Sequence, residues 1–352
     1  MDNAMPPPSS SIAVIGAGIA GLSCARTLRA AGHAVTLFDK GRGPGGRLSS
    51  RRAPGAIVDL GAQYFTARDP AFQAELAGWL DRGLVKRWPT SLWRIDAQGW
   101  QPHRDDHPRY CATPRMSALT RHLAEGLTLT AGARILGLER LLDGWFLEDD
   151  QQRRHGPFRR VAISVPAPQA EALVATQDDT LAEACRGIEQ SPCWAGYALF
   201  DAPLPDLPGV ARDWQAAFVN AGPLRFVSRN HLKPGRDKQG ESLTLLATAE
   251  WSQAWLEQPA EQVADALYMA FLEQLPANAL PAAPRLLAAH RWRYAQPLSA
   301  APGPGFCLGA HGLALCGDGW LGPRVEDAWC SGRRLAQHWL TQPGSDQQAV
   351  TG

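Results

Sequence analysis

Lysine is scarce in this chain. Only Lys40, Lys86, Lys233 and Lys238 occur, so arginine supplies 31 of the 35 Lys+Arg side chains. The formal net charge is +1, so the chain lacks the basic field that drives non-specific nucleic-acid binding, and a DNA or RNA partner is excluded. Arginine forks do suit bidentate contact with small anionic ligands. Long apolar runs are also missing: the longest early one, Ile12 to Leu22, is glycine-rich and about half of the roughly 20 residues a membrane span requires. The first eleven residues hold no basic side chain, which argues against a secretion signal. Residues 1–11, with the run Pro6-Pro7-Pro8, and residues 342–352 are expected to be flexible tails.

Hydrolytic and metal chemistry lack their usual patterns. No G-x-S-x-G elbow, H-E-x-x-H or GK[ST] loop is present. The seven cysteines are odd in number, scattered and without a C-x-x-C pair, so free thiols in a reducing compartment are expected and the protein is read as soluble and cytoplasmic. His103 and His107 stand four apart in a proline-flanked loop that reads as solvated, and no metal is expected.

What is present begins with an order of elements. With 352 residues, about two domains are expected. Ile12 to Ile15 reads as a strand buried on both faces, Leu22 to Arg29 as a helix closed at Gly32, and Ala34 to Phe38 as a second strand. Residues Ile57 to Phe65 are expected on loops and strand ends, and Pro114 to Leu123 on a helix. Leu127 to Leu138, Gly144 to Glu148 and Val161 to Val165 read as an antiparallel meander whose last strand re-enters the main sheet. From Pro166 the composition shifts towards a second domain, with strands near 195–201, 216–220 and 242–250 and a helix at Pro259 to Leu275. The chain then returns through Gly312 to Asp318, a strand ending in Gly-Asp, and a helix from about Arg324 to Leu340.

Gly16-x-Gly18-x-x-Gly21 lies between the first strand and the first helix. There, one glycine permits the turn, one admits a pyrophosphate and one packs helix on strand. Asp39 closes the second strand 18 residues after Gly21, where an acid can grip ribose hydroxyls. Gly45-Gly46-Arg47 adds a glycine loop whose arginine can neutralise the pyrophosphate. Gly317-Asp318 supplies a carboxylate at a late strand end, and the helix after it points its N-terminus at a ring that acquires negative charge. Reduced flavin is such a ring, which favours FAD over NAD as the resident cofactor.

These residues resemble the flavin-containing amine oxidase superfamily. More narrowly, Asp59 to Arg68, Ser228 to Arg236, His290 to Tyr294 and Arg324 to Trp329 resemble blocks of the bacterial renalase family, and together they span nearly the whole chain. The resemblance implies an α/β two-domain fold of the p-hydroxybenzoate-hydroxylase type: a Rossmann-like FAD domain from residues 1–80, 105–180 and 297–341, and a mixed-sheet substrate domain from 81–104 and 181–296. It implies non-covalent FAD held by Gly16, Gly18, Ile19, Ala20, Gly21, Asp39, Lys40, Gly46, Arg47, Gly61, Ala62, Gln63, Ile135, Gly317, Asp318, Arg324, Val325 and Glu326. The substrate pocket candidates are Gln63, Tyr64, Arg229, Asn230, Lys233, His290, Trp292 and Tyr294. Among these, Arg229, Asn230 and Lys233 are expected to meet phosphate or carboxamide oxygens, and Trp292 and Tyr294 to wall a flat ring. No catalytic residue is assigned.

The implied reaction is oxidation of 2- or 6-dihydroNAD(P) to NAD(P)+, with O2 reduced to H2O2. An amine oxidase or desaturase on the same fold is the alternative, and a non-catalytic dinucleotide-binding redox sensor is a third reading. Superfamily members commonly carry Glu at the ribose position and Glu-Gly-Ala at the last helix. Here Asp39 and Asp327 stand instead, the latter placing an anion in the first helical turn.

Overall fold

The structure, a computed structural model, describes residues 11–104, 107–236 and 240–342. The chain divides into two compact units: Met1–Gly46, Thr120–Gln190 and Gln296–Gly352 form one, and Arg47–Leu119 with Ser191–Ala295 form the other.

The first unit is built on a six-stranded sheet in the order Phe306–Leu308, Leu313–Cys316, Arg160–Ile163, Ser11–Ile15, Ala34–Asp39 and Thr128–Ala131. All neighbours are parallel except the edge strand Phe306–Leu308. Ser11–Ile15 is central and almost wholly apolar, as a strand covered on both faces must be. The crossover to Ala34–Asp39 is the helix Ile19–Ala30, against which the last helix, Val325–Thr341, packs. That packing is close: a Cβ on Gly332 would come within 2.0 Å of the Ala20 carbonyl oxygen, so the two backbones meet where only glycine fits.

The expected meander is displaced by one strand. Its first segment splits at Gly132, which adopts φ +68°; Thr128–Ala131 joins the main sheet, and Ile135–Leu141 pairs with Gly144–Asp149 and Arg154–Phe158. Arg160–Ile163 then enters the main sheet beside Ser11–Ile15, as the sequence suggested.

The second unit is built on a seven-stranded mixed sheet, ordered Leu286–Pro297, Gln190–Phe200, Glu241–Ala247, Leu224–Arg229, Ala216–Val219, Leu92–Asp96 and Gly99–Pro102. Ala216–Val219 and Leu92–Asp96 run parallel. The helix Ala260–Leu272 lies on one face, where Leu267 and Phe271 meet Trp194, Phe200, Trp214, Leu243 and Leu245 in a continuous core. Burial of such side chains contributes about 1.5–3 kcal/mol each.

Residues 47–80 and 107–119, expected with the cofactor domain, pack instead with the second unit. The reason is a hairpin, Ser50–Ala53 with Ala56–Asp59, where loops were expected. Its last residue, Asp59, is the centre of a polar cluster with Asn230, Lys233, Arg236 and Thr244. The run Ala170 to Ala184 is two helices, Ala167–Val174 and Asp179–Arg186. The seven cysteines form no disulfide, and all but Cys307 are buried. Among the described residues, no helix is long and apolar enough to cross a membrane, and no group of three or more His, Cys, Asp or Glu is placed to hold a metal ion. The tails 1–10 and 343–352 lie outside the described residues.

Candidate active site

In the first unit the glycines have distinct roles. Gly16 adopts φ +103°, and a Cβ there would come within 2.7 Å of Ser164 Oγ. A Cβ on Gly21 would come within 2.0 Å of the Gly16 carbonyl oxygen, so Gly21 lets the helix start against the turn. Gly18 differs: nothing lies within 4 Å of its missing Cβ, and it is the N-cap of Ile19–Ala30 with no side-chain cap and no acid in the first turn. The helix therefore presents uncapped amides over an open cradle, the arrangement that receives a phosphate. Ile19 and Ala20 form the first turn of that helix and are buried.

Asp39 holds the turn itself. Its Oδ2 accepts from the Ala17 amide at 2.6 Å and its Oδ1 from the Gly41 amide at 2.7 Å. The Gly45 amide donates to the Ala17 carbonyl at 3.1 Å, and a Cβ on Gly46 would lie 3.2 Å from Gly18 Cα, so the second glycine loop lies against the first. Lys40, next to Asp39, is exposed, and Ile135 is buried in the hydrophobic core of this unit. At the far end of the chain, Gly317 has φ +135° and its amide donates to Ser331 Oγ at 2.7 Å, which ties the late strand end to the last helix. Asp318 follows and is buried.

That helix is capped by a closed pair. The Asp327 carboxylate accepts from Arg324 Nη2 at 2.9 Å, from Arg324 Nε at 3.0 Å and from the Arg324 amide at 3.1 Å. The anion in the first turn is thus matched by a guanidinium, while Val325 opens the helix and Glu326 is buried behind it.

The second unit places the remaining candidates in two groups. The first surrounds Asp59, whose Oδ2 accepts from Lys233 Nζ at 3.0 Å and Arg236 Nη2 at 2.5 Å, and whose Oδ1 accepts from Ser50 Oγ at 2.6 Å. Gln63 donates to the Asp59 and Gly61 carbonyls and accepts from Ser228 Oγ and Lys233 Nζ. Asn230 accepts from the Asp59 amide and donates to Thr244 Oγ1. Burial opposes charge on Asp59, yet Lys233 and Arg236 hold its carboxyl well below the usual carboxylate range. The Lys233 ammonium is pushed down by burial against the pull of Asp59. Beside this cluster, Arg229 grips Glu241 through Nε at 3.1 Å and Nη2 at 2.5 Å and stacks over Trp214.

These contacts correct an expectation. Arg229, Asn230 and Lys233 were expected on substrate oxygens; all three are buried, and their polar atoms are engaged by Glu241, Asp59, Gln63, Thr244 and backbone carbonyls. Gln63 is likewise buried in its own network. Gly61 is glycine because a Cβ would come within 1.9 Å of the Arg47 carbonyl oxygen, to which the Ala62 amide donates. The Arg47 guanidinium reaches the Ala295 carbonyl at 3.0 Å.

The second group holds Trp292 and Tyr294, expected as a wall, together with the pocket candidate His290. Successive strand residues point to opposite faces, so His290, Trp292 and Tyr294 share one face of Leu286–Pro297. The other face carries Leu287 and Ala289, which pack on the core, and Arg291 and Arg293, which pair with Glu257 at 2.8 and 2.5 Å. Trp292 is anchored by its Nε1, which donates to the Leu60 carbonyl at 2.8 Å, and His290 meets it edge-on at 4.6 Å between ring centres. Burial, with Arg51 nearby, holds the His290 imidazolium below its ordinary pKa. Tyr64 sits elsewhere, against Phe226 and under the Arg109 guanidinium. Sequence reasoning missed Asp59 as the hub and Arg51 as a neighbour of the wall; an acid within the apolar run Ile57 to Phe65 was the available signal for the first.

Residues 14–78 match the family model of the NAD(P)-binding Rossmann-like domain. A hydroxyneurosporene desaturase of Rubrivivax gelatinosus is 46% identical over 95 residues, 26% of this chain and 17% of that protein. A putrescine oxidase of Kocuria rosea is 31% identical over 141 residues, 39% of this chain and 25% of that protein. The chain thus spans at most a quarter of the length of these curated relatives in the matched regions. The fold likeness is far wider: the crystal structure of reduced UDP-galactopyranose mutase superposes with a TM-score of 0.73 at 13% identity, covering 95% of this chain and 96% of that one. The two-domain architecture expected from the sequence, a Rossmann-like domain with a mixed-sheet partner, is therefore the fold of this protein.

Proposed function

We propose that this protein belongs to the amine oxidase and desaturase superfamily and is an oxidase that binds FAD non-covalently and converts isomeric dihydronicotinamide dinucleotides, 2- or 6-dihydroNAD(P), to NAD(P)+, with O2 reduced to H2O2. The observation that carries the reading is the wall of His290, Trp292 and Tyr294 on one sheet face, with the imidazole held neutral.

The residues of the first unit fit the cofactor. The open cradle at Gly18, the uncapped start of Ile19–Ala30, the Asp39 carboxylate and the strand end at Gly317-Asp318 together suit a dinucleotide carrying a ring at its far end. Bound there, the flavin supplies a hydride acceptor and a route for electrons to O2. Buried thiols with pKa values pushed up, such as Cys185 at about 12, suit neither a covalent flavin anchor nor an oxidising compartment, and they support a reading of the protein as cytoplasmic.

The chain's own residues orient and do not titrate. Trp292, fixed through Leu60, offers a flat face to a flat substrate ring, and Tyr294 extends that face. A dihydropyridine that gives up hydride gains an aromatic ring and keeps no proton to remove, so neutral His290 is a polar neighbour and not a base. This is where the second reading parts company. The likeness to putrescine oxidase and to a desaturase favours an amine oxidase or desaturase, and an amine must lose a proton before its carbon donates hydride. The sensor reading requires that no donor reduce the flavin. Anaerobic mixing with a panel of dihydronicotinamide isomers and amines separates all three, because loss of the flavin's visible absorbance identifies the electron donor.

A further inference from the structure

Several arginines of the second unit are matched by carboxylates. Arg291 and Arg293, on the far face of the strand, are neutralised by Glu257. Arg229 and Arg236 are neutralised by Glu241 and Asp59 inside the unit. Arg51, on the first strand of the hairpin, is exposed, and its guanidinium lies over the ring of Tyr197 at 5.9 Å, on the strand Gln190–Phe200 that neighbours Leu286–Pro297. No carboxylate among the described residues pairs with it. A guanidinium stacked on one aromatic ring keeps its edge donors available, and a fork of that geometry matches a phosphate.

We propose that Arg51 is the anion-reading residue of the candidate substrate site, its guanidinium taking a phosphate of a substrate whose flat ring lies along His290, Trp292 and Tyr294. This rests on the functional reading above and extends it, because it makes discrimination a matter of charge: the dinucleotide is selected over a bare dihydropyridine by its phosphates. It also explains the division of the arginines. Those with carboxylates hold the unit together, and Arg51 is left to a ligand.

The test is calorimetric titration of the flavin-loaded protein with NAD+ and, separately, with nicotinamide riboside, which has the ring and ribose without phosphate. Wild type, Arg51→Met and Arg51→Lys are compared at two salt concentrations. Arg51→Met is expected to keep its melting temperature, since the side chain is exposed, to bind NAD+ about tenfold or more weakly, and to lose most of the salt dependence. Its affinity for the riboside stays within about twofold, and Arg51→Lys recovers part of the NAD+ affinity through charge without the fork. Equal NAD+ affinity in wild type and Arg51→Met, absence of NAD+ binding by wild type, or an equal loss for both ligands overturns the assignment. A protein that binds NAD+ in an Arg51-dependent way, yet is not reduced by any dihydronicotinamide isomer, keeps this anion site and loses the proposed reaction, so the two failures are distinguishable.

Discussion

Lys233 Nζ lies 3.0 Å from Asp59 Oδ2, with both side chains fully buried and 174 positions apart in the chain. Arg236 approaches the same oxygen, so one carboxylate holds two cations, and Gln63 takes up a further Lys233 proton. The arrangement fastens the hairpin that ends at Asp59 to the segment after Leu224–Arg229.

Lys233→Ala and Arg229→Ala are therefore expected to lower stability and not to act as substrate-binding variants. Removing one partner from a buried ion pair costs about 3–5 kcal/mol. Urea unfolding monitored by tryptophan fluorescence measures it. A normal midpoint with a raised substrate requirement would return these residues to the substrate.

Acid sensitivity follows from the same cluster. Asp59 and Glu241 both have carboxyl pKa values held below the unfolded value, Asp59 by Lys233 and Arg236 and Glu241 by His231 and Arg229, in each case against burial. Groups of this sign stabilise fully above the unfolded pKa of about 4, and the contribution is lost as pH falls below it. Unfolding midpoints should be level from neutrality down to about pH 5 and fall steeply below about pH 4. In Asp59→Asn the protein should be less stable at neutral pH, and the fall should be shallower. An unchanged slope would show that this carboxylate is not the source.

The glycines of the turn separate binding from folding. Gly18→Val projects into open space, so the apoprotein should melt as wild type does while FAD retention is lost. Gly21→Ala places a methyl against the Gly16 carbonyl and should destabilise the apoprotein itself. Asp39→Ala frees the Ala17 and Gly41 amides and should weaken FAD by about 1.5–3 kcal/mol, read as release on ultrafiltration. Equal FAD retention by Gly18→Val and wild type would remove the cofactor from this cradle.

Local patterns were legible in the sequence. Strand, glycine turn, helix and strand are consecutive, so their residues announced the Rossmann-like unit without help from the rest of the chain. The alternation of His290, Trp292 and Tyr294 with Arg291 and Arg293 is equally local. What could not be read was partnership. A run such as Arg229 to Arg236 displays its charge but not Glu241 or Asp59, and so it looked like a ligand-binding loop. The same blindness put residues 47–80 with the cofactor domain, because the hairpin's loyalty is decided by Asp59 and its distant cations. At Gly132 the apolar pattern runs on while the backbone turns, and one expected strand became two.

The pH profile of the chemical step follows from His290. Its pKa is lowered by burial and by Arg51, so the imidazole is already neutral above its ordinary value of about 6.5 and does not titrate between about pH 7 and 9. The saturated rate of flavin reduction by a dihydronicotinamide isomer should be nearly flat across that window in anaerobic stopped-flow. A tenfold or larger change that tracks one ionisation, with the flavin still bound, would mean that a base takes part, and His290→Gln would then be the first variant to make.

The identity of the electron donor is the central claim, and anaerobic mixing of the yellow protein with 2- or 6-dihydroNAD, with 2- or 6-dihydroNADP and with putrescine tests it most directly. The account predicts that a dihydronicotinamide isomer bleaches the flavin within a single turnover and yields one equivalent of NAD(P)+, and that putrescine leaves the visible spectrum unchanged. Bleaching by putrescine with none of the dihydronicotinamides reacting would contradict it and establish the amine oxidase reading in its place.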